Sequence, residues 1–239
     1  MRISGSGTIE GGKIEQEIVV LGAAHIVDDL ECNGIRVAGS LTGNSSLMIH
    51  GDAKVSGSFQ IGGSLQGDND MKVSGSSTIG QNVMLKGMLK ISGSFHAGEK
   101  VTALTGIKSV GYARISGDLI SERGIILEGS ARVSGNIEAE EVLIGTTWLS
   151  FGKRIFGKKS ETYKIRGNIR GRDRVEIFRT RVNGNIIGRN VKINKNSDVK
   201  GTIYYVENIE IHPKARVLTT PVQIKEEELD QIQNSNIGD

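Results

Sequence analysis

Cysteine occurs once in this 239-residue chain, proline twice, and phenylalanine, tryptophan and tyrosine together supply 4% of it. One cysteine, Cys32, leaves no disulfide framework and reads as a buried thiol rather than a nucleophile. The prolines, Pro213 and Pro221, both come late, so a regular backbone ladder can run unbroken before them. No run of about 18 apolar residues exists, which removes transmembrane helices. A large excess of charge of one sign is missing too: 30 Lys and Arg face 27 Asp and Glu, a net +3. Phosphate-cradling G-x-x-x-x-G-K-[ST] loops and G-x-S-x-G nucleophile elbows are absent. No signal peptide is expected ahead of the fold, since Ile3 already falls on a core position, and the cytoplasm is the expected compartment.

What the chain has is glycine, 33 residues of it, and a unit that returns. Lys54-Val55-Ser56-Gly57-Ser58-Phe59 recurs around Gly75, Gly93, Gly117 and Gly135, with looser copies at Gly5, Gly22, Gly39, Gly167, Gly184 and Gly201. The steps between these glycines are 17, 17, 18, 18, 18, 24, 18, 32, 17 and 17 residues. With the glycine at position zero, apolar residues recur at −4, −2, +2, +4, +8 and +10, as in Ala53, Val55, Phe59, Ile61 and Leu65. Alternation by two is a strand signal, and three such pairs per repeat make three short strands joined by corners. One repeat cannot bury its own apolar face, whereas stacked repeats can. The expected fold is therefore all-β, a β-solenoid of about 12 rungs of 17–18 residues around a triangular core, a rod roughly 55–60 Å long. Its domain spans residues 1–217, with insertions near 102–110 and 146–161 that account for the steps of 24 and 32. The acidic stretch 218–239 reads as a disordered tail or short helix. Glycine at zero suits a corner, either through φ > 0 or through close backbone approach.

Three groups of residues carry candidate contacts. Position −3 is basic in ten of twelve rungs, including Arg36, Lys54, Lys72, Lys90, Arg114, Arg132, Lys164 and Arg181. Read as one outward row, neighbours repel by about 1 kcal/mol in water. Such a row is either a solvated face that discourages lateral sheet pairing or a track for an anionic surface or polymer. Next, neither end shows an obvious cap: Ile3 and Ile9 open the first rung, and Ile203, Tyr205, Ile209, Ile211 and Val217 belong to the last. Uncapped solenoid ends are templates for pairing, so stacking of copies end to end is expected, unless the acidic tail folds over the C-terminal end.

The third group is the insertion, which sets Trp148, Leu149, Phe151, Ile155 and Phe156 among Lys153, Arg154, Lys158 and Lys159. Rings beside cations suit an interfacial segment on anionic lipid. A loop folded back on the solenoid and a contact with a client protein are the alternatives. Residues 146–200 hold 15 Lys and Arg and 4 Asp and Glu, so this region is net +11. It lacks the aromatic interleaving of a base-stacking surface, which argues against nucleic acid.

The four histidines give little chemistry. His25 and His96 share position +3 and His50 and His212 share +11, but the partners lie four and nine rungs apart. Four rungs are ~19 Å, far beyond metal-ligand reach. No metal, cofactor or catalytic residue is expected. Left-handed hexapeptide solenoids share the 18-residue turn and include acyltransferases, so an acyltransferase-like enzyme or an inactive relative is the alternative class. A monomeric rod binding an anionic polymer is a third.

The repeated Val-Ser-Gly-Ser/Asn-Ile/Phe unit, over about residues 1–217, resembles the bactofilins, polymer-forming bacterial cytoskeletal proteins. In length the chain is similar to the longer bactofilin-like proteins of Gram-positive bacteria. The resemblance implies a right-handed β-helix, nucleotide-independent assembly end to end into nonpolar filaments, and membrane association at the inner face. It also implies scaffolding of envelope, shape or motility machinery. The chain departs from the family in lacking the N-terminal tail that often carries the membrane-binding peptide.

Overall fold

The computed structural model describes residues 1–145 and 163–231. The fold is a β-solenoid in which every strand pairs in parallel with its equivalents one turn earlier and later. One turn shows the plan. Ala53–Val55 lies on a first face, Ser58–Ile61 on a second and Leu65–Gly67 on a third. Ala53, Val55, Phe59, Ile61 and Leu65 point inward and are buried, while Lys54 and Gln60 point out. Side-chain alternation thus sends every second residue into a shared lumen. The second face stacks 12 strands, from Ser6–Ile9 at level 1 to Arg216–Val217 at level 12. Eleven spacings of ~4.8 Å make a rod of roughly 53 Å.

The corner between the third and first faces takes two forms. At middle levels the two faces carry separate strands, such as Leu47–Ile49 and Ala53–Val55. Nearer the ends a single strand runs through it, in eight residues at Leu30–Val37 and Ile186–Ile193 and in nine at Gly12–Val20, Ile169–Ile177 and Ile203–Ile211. Where an eight-residue strand pairs with a nine-residue one the register shifts, and the extra residue forms a bulge.

The motif glycines have a structural reason. Gly22, Gly39, Gly57, Gly75 and Gly93 stack at the corner between the first and second faces. A Cβ on each would lie 1.9–2.1 Å from a backbone carbonyl of the level before. None of them has a positive φ; the described glycines that do are Gly11, Gly12, Gly106 and Gly145. Close approach, not left-handed backbone, selects glycine at this corner.

Two expectations need correction. No insertion occupies 102–110: Val101–Ala103 and Gly106–Ser109 are regular strands on the third and first faces. The step of 24 is one turn plus one face. Tyr112–Ile115 pairs with Ser94–Ala97 on the second face, and Gly111 takes the place below which Gly93 stands, 2.0 Å from its carbonyl to a would-be Cβ. From Gly117 onward the Ser-Gly motif therefore sits at the next corner, between the second and third faces. The step of 32 does contain extra residues, between Gly145 and Tyr163, at the first-to-second corner of level 9.

The acidic tail is also ordered further than expected. Val222–Gln223 adds a twelfth strand to the third face, and a short helix, Glu228–Gln231, packs against Ile186–Ile193. Leu229 of that helix and the outward-pointing Ile187 are each 5% exposed.

Candidate functional site

The step by one face divides the expected basic row in two. Arg36, Lys54, Lys72 and Lys90 do stack, on the first face, and continue to Lys108. Arg114, Arg132, Lys164 and Arg181 stack on the second face instead, above Thr78 and His96 and below Asp198. The two rows differ in compensation. On the first face Arg36 pairs with Glu17, Lys54 with Asp52, Lys90 with Asp70 and Lys108 with Glu128, at 3.2–3.8 Å. A backbone hydrogen bond from Met88 and the Lys90 ammonium hold the Asp70 carboxyl below its ordinary range. On the second face only Arg181 has an acidic partner among the described residues, Asp198 at 3.6 Å.

The ends of the rod are the second feature. At the N-terminal level Ile3 and Ile9 are buried and Ile14 is half-buried. Gly5 has nothing within 4 Å of a would-be Cβ, although it occupies the same corner column as Gly22. At the C-terminal level the inward residues Ile209, Ala215 and Val217 are half-exposed and Ile211 is 39% exposed. One level below, Val199 and Ile203 are fully buried, and Tyr205 is half-buried against the core. The helix Glu228–Gln231 runs along the flank, where Glu226 pairs with Arg189, and does not cross this end. Among the described residues no element covers either end. The insertion residues Trp148, Leu149, Phe151, Lys153, Arg154, Ile155, Phe156, Lys158 and Lys159 lie outside the described residues.

Histidine geometry is different from the expected pairing. His25 and His96 do share a column on the second face, four levels apart. His50 and His212 occupy different corners, since His50 follows a third-face strand and His212 a first-face strand. His50 instead joins a chain of side chains that the repeat pattern did not reveal. Lys13, Glu31, His50, Asp68 and Lys86 stand on five successive levels and bond in turn, at 3.1, 3.0, 2.7 and 2.8 Å. Both imidazole nitrogens face carboxylates, so hydrogen bonds accepted by Asp68 and Glu31 raise the His50 pKa above its ordinary value. His50 and Lys13 hold the Glu31 carboxyl below its usual range, and Lys86 and His50 do the same for Asp68. The signal for this chain was the spacing of alternating charges at 18, 19, 18 and 18 residues, which a search for metal-ligand sets passes over.

A shallow depression of about 550 Å³ lies beside this chain, lined by Lys13, Leu30, Glu31, Leu47 and Met48. Its charged groups Lys13 and Glu31 are tied to each other, while Asp29 accepts a hydrogen bond from the Ser46 backbone N–H at 2.7 Å and the Ser46 hydroxyl accepts one from the Ser64 N–H at 3.2 Å. Cys32 is buried, and burial pushes its thiol up to about 11. Among the described residues no group of three His, Cys, Asp or Glu side chains could hold a metal ion. Comparison with known proteins finds no matching family model, no matching curated protein and no matching solved structure.

Proposed function

We propose that the chain is a structural protein whose copies stack end to end through their terminal levels into a filament-forming scaffold, without nucleotide. The observation that carries this reading is the open C-terminal level, where Ile211 and its neighbours lose the cover that every interior level has. A parallel stack ending on bare backbone groups and apolar side chains is a template for another strand layer. Gly5 adds support at the other end. Every other glycine of its column is required by the level before it, and Gly5 is placed as if a level stood there too.

Sedimentation velocity across a wide concentration range tests the reading. Wild type should sediment as a ladder of oligomers and long polymers. Ile211→Asp should stay monomeric with an unchanged far-ultraviolet spectrum, because its side chain lies at an edge and supports no further level. A wild-type protein that remains monomeric throughout would refute the proposal. An acyltransferase-like enzyme, the alternative reading, would instead need a general base aimed at a substrate held in a groove.

A further inference from the structure

We propose that the second face of levels 7–12 is a docking surface for an anionic membrane. The outward column of this face changes character halfway along the rod. Levels 1–6 present Thr8, His25, Thr42, Gln60, Thr78 and His96. Levels 7–12 present Arg114, Arg132, Lys164, Arg181, Asp198 and Arg216, all except Asp198 exposed. Adjacent columns extend the patch sideways. Arg166 and Lys200 follow the inward residues of levels 9 and 11 on one side, and Arg179 and Lys214 lie on the other. Five central and four flanking cations against one carboxylate leave a net +8 on a single face.

The arrangement selects among anionic partners. The cations occupy three columns, not one, over six levels or roughly 24 Å. A thread-like polyanion would use a single row, whereas a plane of headgroups meets all three columns of a flat sheet at once. Single-stranded nucleic acid would also need exposed rings on which bases could stack. Tyr112 is half-exposed at level 7, and the Phe178 ring is already covered by Arg179, 5.0 Å from its centroid, with Lys195 at 5.8 Å. The first-face row carries far less excess, because four of its five cations, all but Lys72, are matched by Glu17, Asp52, Asp70 and Glu128. Each basic residue near an anionic bilayer strengthens partitioning by roughly fivefold, and salt screens the effect.

The inference does not depend on end-to-end assembly, and the test separates the two. Co-sedimentation is measured with vesicles of phosphatidylcholine with and without phosphatidylglycerol, at low and high salt, in the non-assembling Ile211→Asp background as well as in wild type. Binding should require phosphatidylglycerol and fall at high salt. Arg132→Gln/Lys164→Gln/Arg181→Gln should weaken it on the order of a hundredfold. The matched control Arg36→Gln/Lys54→Gln/Lys90→Gln should change it far less, since each of these cations already has a carboxylate partner. All six positions are exposed, and circular dichroism confirms that both variants fold. Equal losses in the two triple variants, no binding to anionic vesicles at low salt, or tighter binding to a single-stranded or duplex oligonucleotide than to vesicles would each overturn the proposal.

Discussion

Replacing Gly75 by alanine places a methyl carbon 2.1 Å from the Gly57 carbonyl oxygen and 2.3 Å from that of Ser56. Ordinary contact begins at 3.4 Å, so the two levels must part by more than 1 Å at this corner. Three backbone hydrogen bonds cross there: Ser74 and Gly75 donate to the Val55 carbonyl and Ser76 donates to that of Gly57, at 2.7, 3.2 and 2.9 Å. At about 1 kcal/mol net each, their loss costs about 3 kcal/mol, before any disturbance of the Phe59 and Phe95 rings above and below. The same substitution at Gly5 meets nothing within 4 Å. There the reduced freedom of the unfolded chain should stabilise by about 0.5 kcal/mol. Urea unfolding followed by circular dichroism reads both. The Gly75→Ala midpoint should fall markedly, and its transition should broaden or split as the stack decouples into two blocks. Equal midpoints for the two variants would refute close approach as the reason for glycine at this corner.

Two further outcomes follow from buried and bridging polar groups. Ser77 stands between Phe59 and Phe95 on the second face, fully buried, with its hydroxyl unpaired among the described residues; Ser77→Ala should raise stability by about 1 kcal/mol in the same urea assay. His50 has a raised pKa in the folded state, so its contribution is complete below its ordinary value of 6.5 and is lost as pH rises through the folded value. The depressed Glu31 and Asp68 act oppositely, contributing above 4.5 and 3.8 and losing that contribution as pH falls through their folded values. His50→Gln should therefore destabilise most between 4.5 and 6.5 and least at alkaline pH, and an effect that stays uniform from 4.5 into the alkaline range would contradict the bridging role.

The repeat made the solenoid legible because strand alternation and stacking leave the same mark on every turn. Ile35, Val37, Leu41, Leu47 and Ile49 are inward in the sequence pattern and buried in the structure. The step at Gly117 was not legible from the motif. Each face carries the same alternation, so a motif moved by six residues reads as an insertion when it has only changed corner. Gly111 and Gly129 held the answer, at 18-residue spacing from Gly93, but a bare glycine without its Ser neighbour carries a weaker signal. That one displacement decided the surface chemistry, since it took Arg114, Arg132, Lys164 and Arg181 off the compensated first face. The tail escaped for another reason. Leu229 is held by a single flank contact near Ile187 and the Glu226–Arg189 pair, and neither has a period.

Electron cryomicroscopy of the purified protein, with no nucleotide added, tests the assembly most directly. If copies continue the stack through their terminal levels, the filaments should show a strand spacing of ~4.8 Å along the axis and a subunit repeat of roughly 58 Å, twelve levels per copy. Dispersed rods one subunit long at high concentration, or filaments whose subunits meet side by side with both ends exposed to solvent, would contradict it.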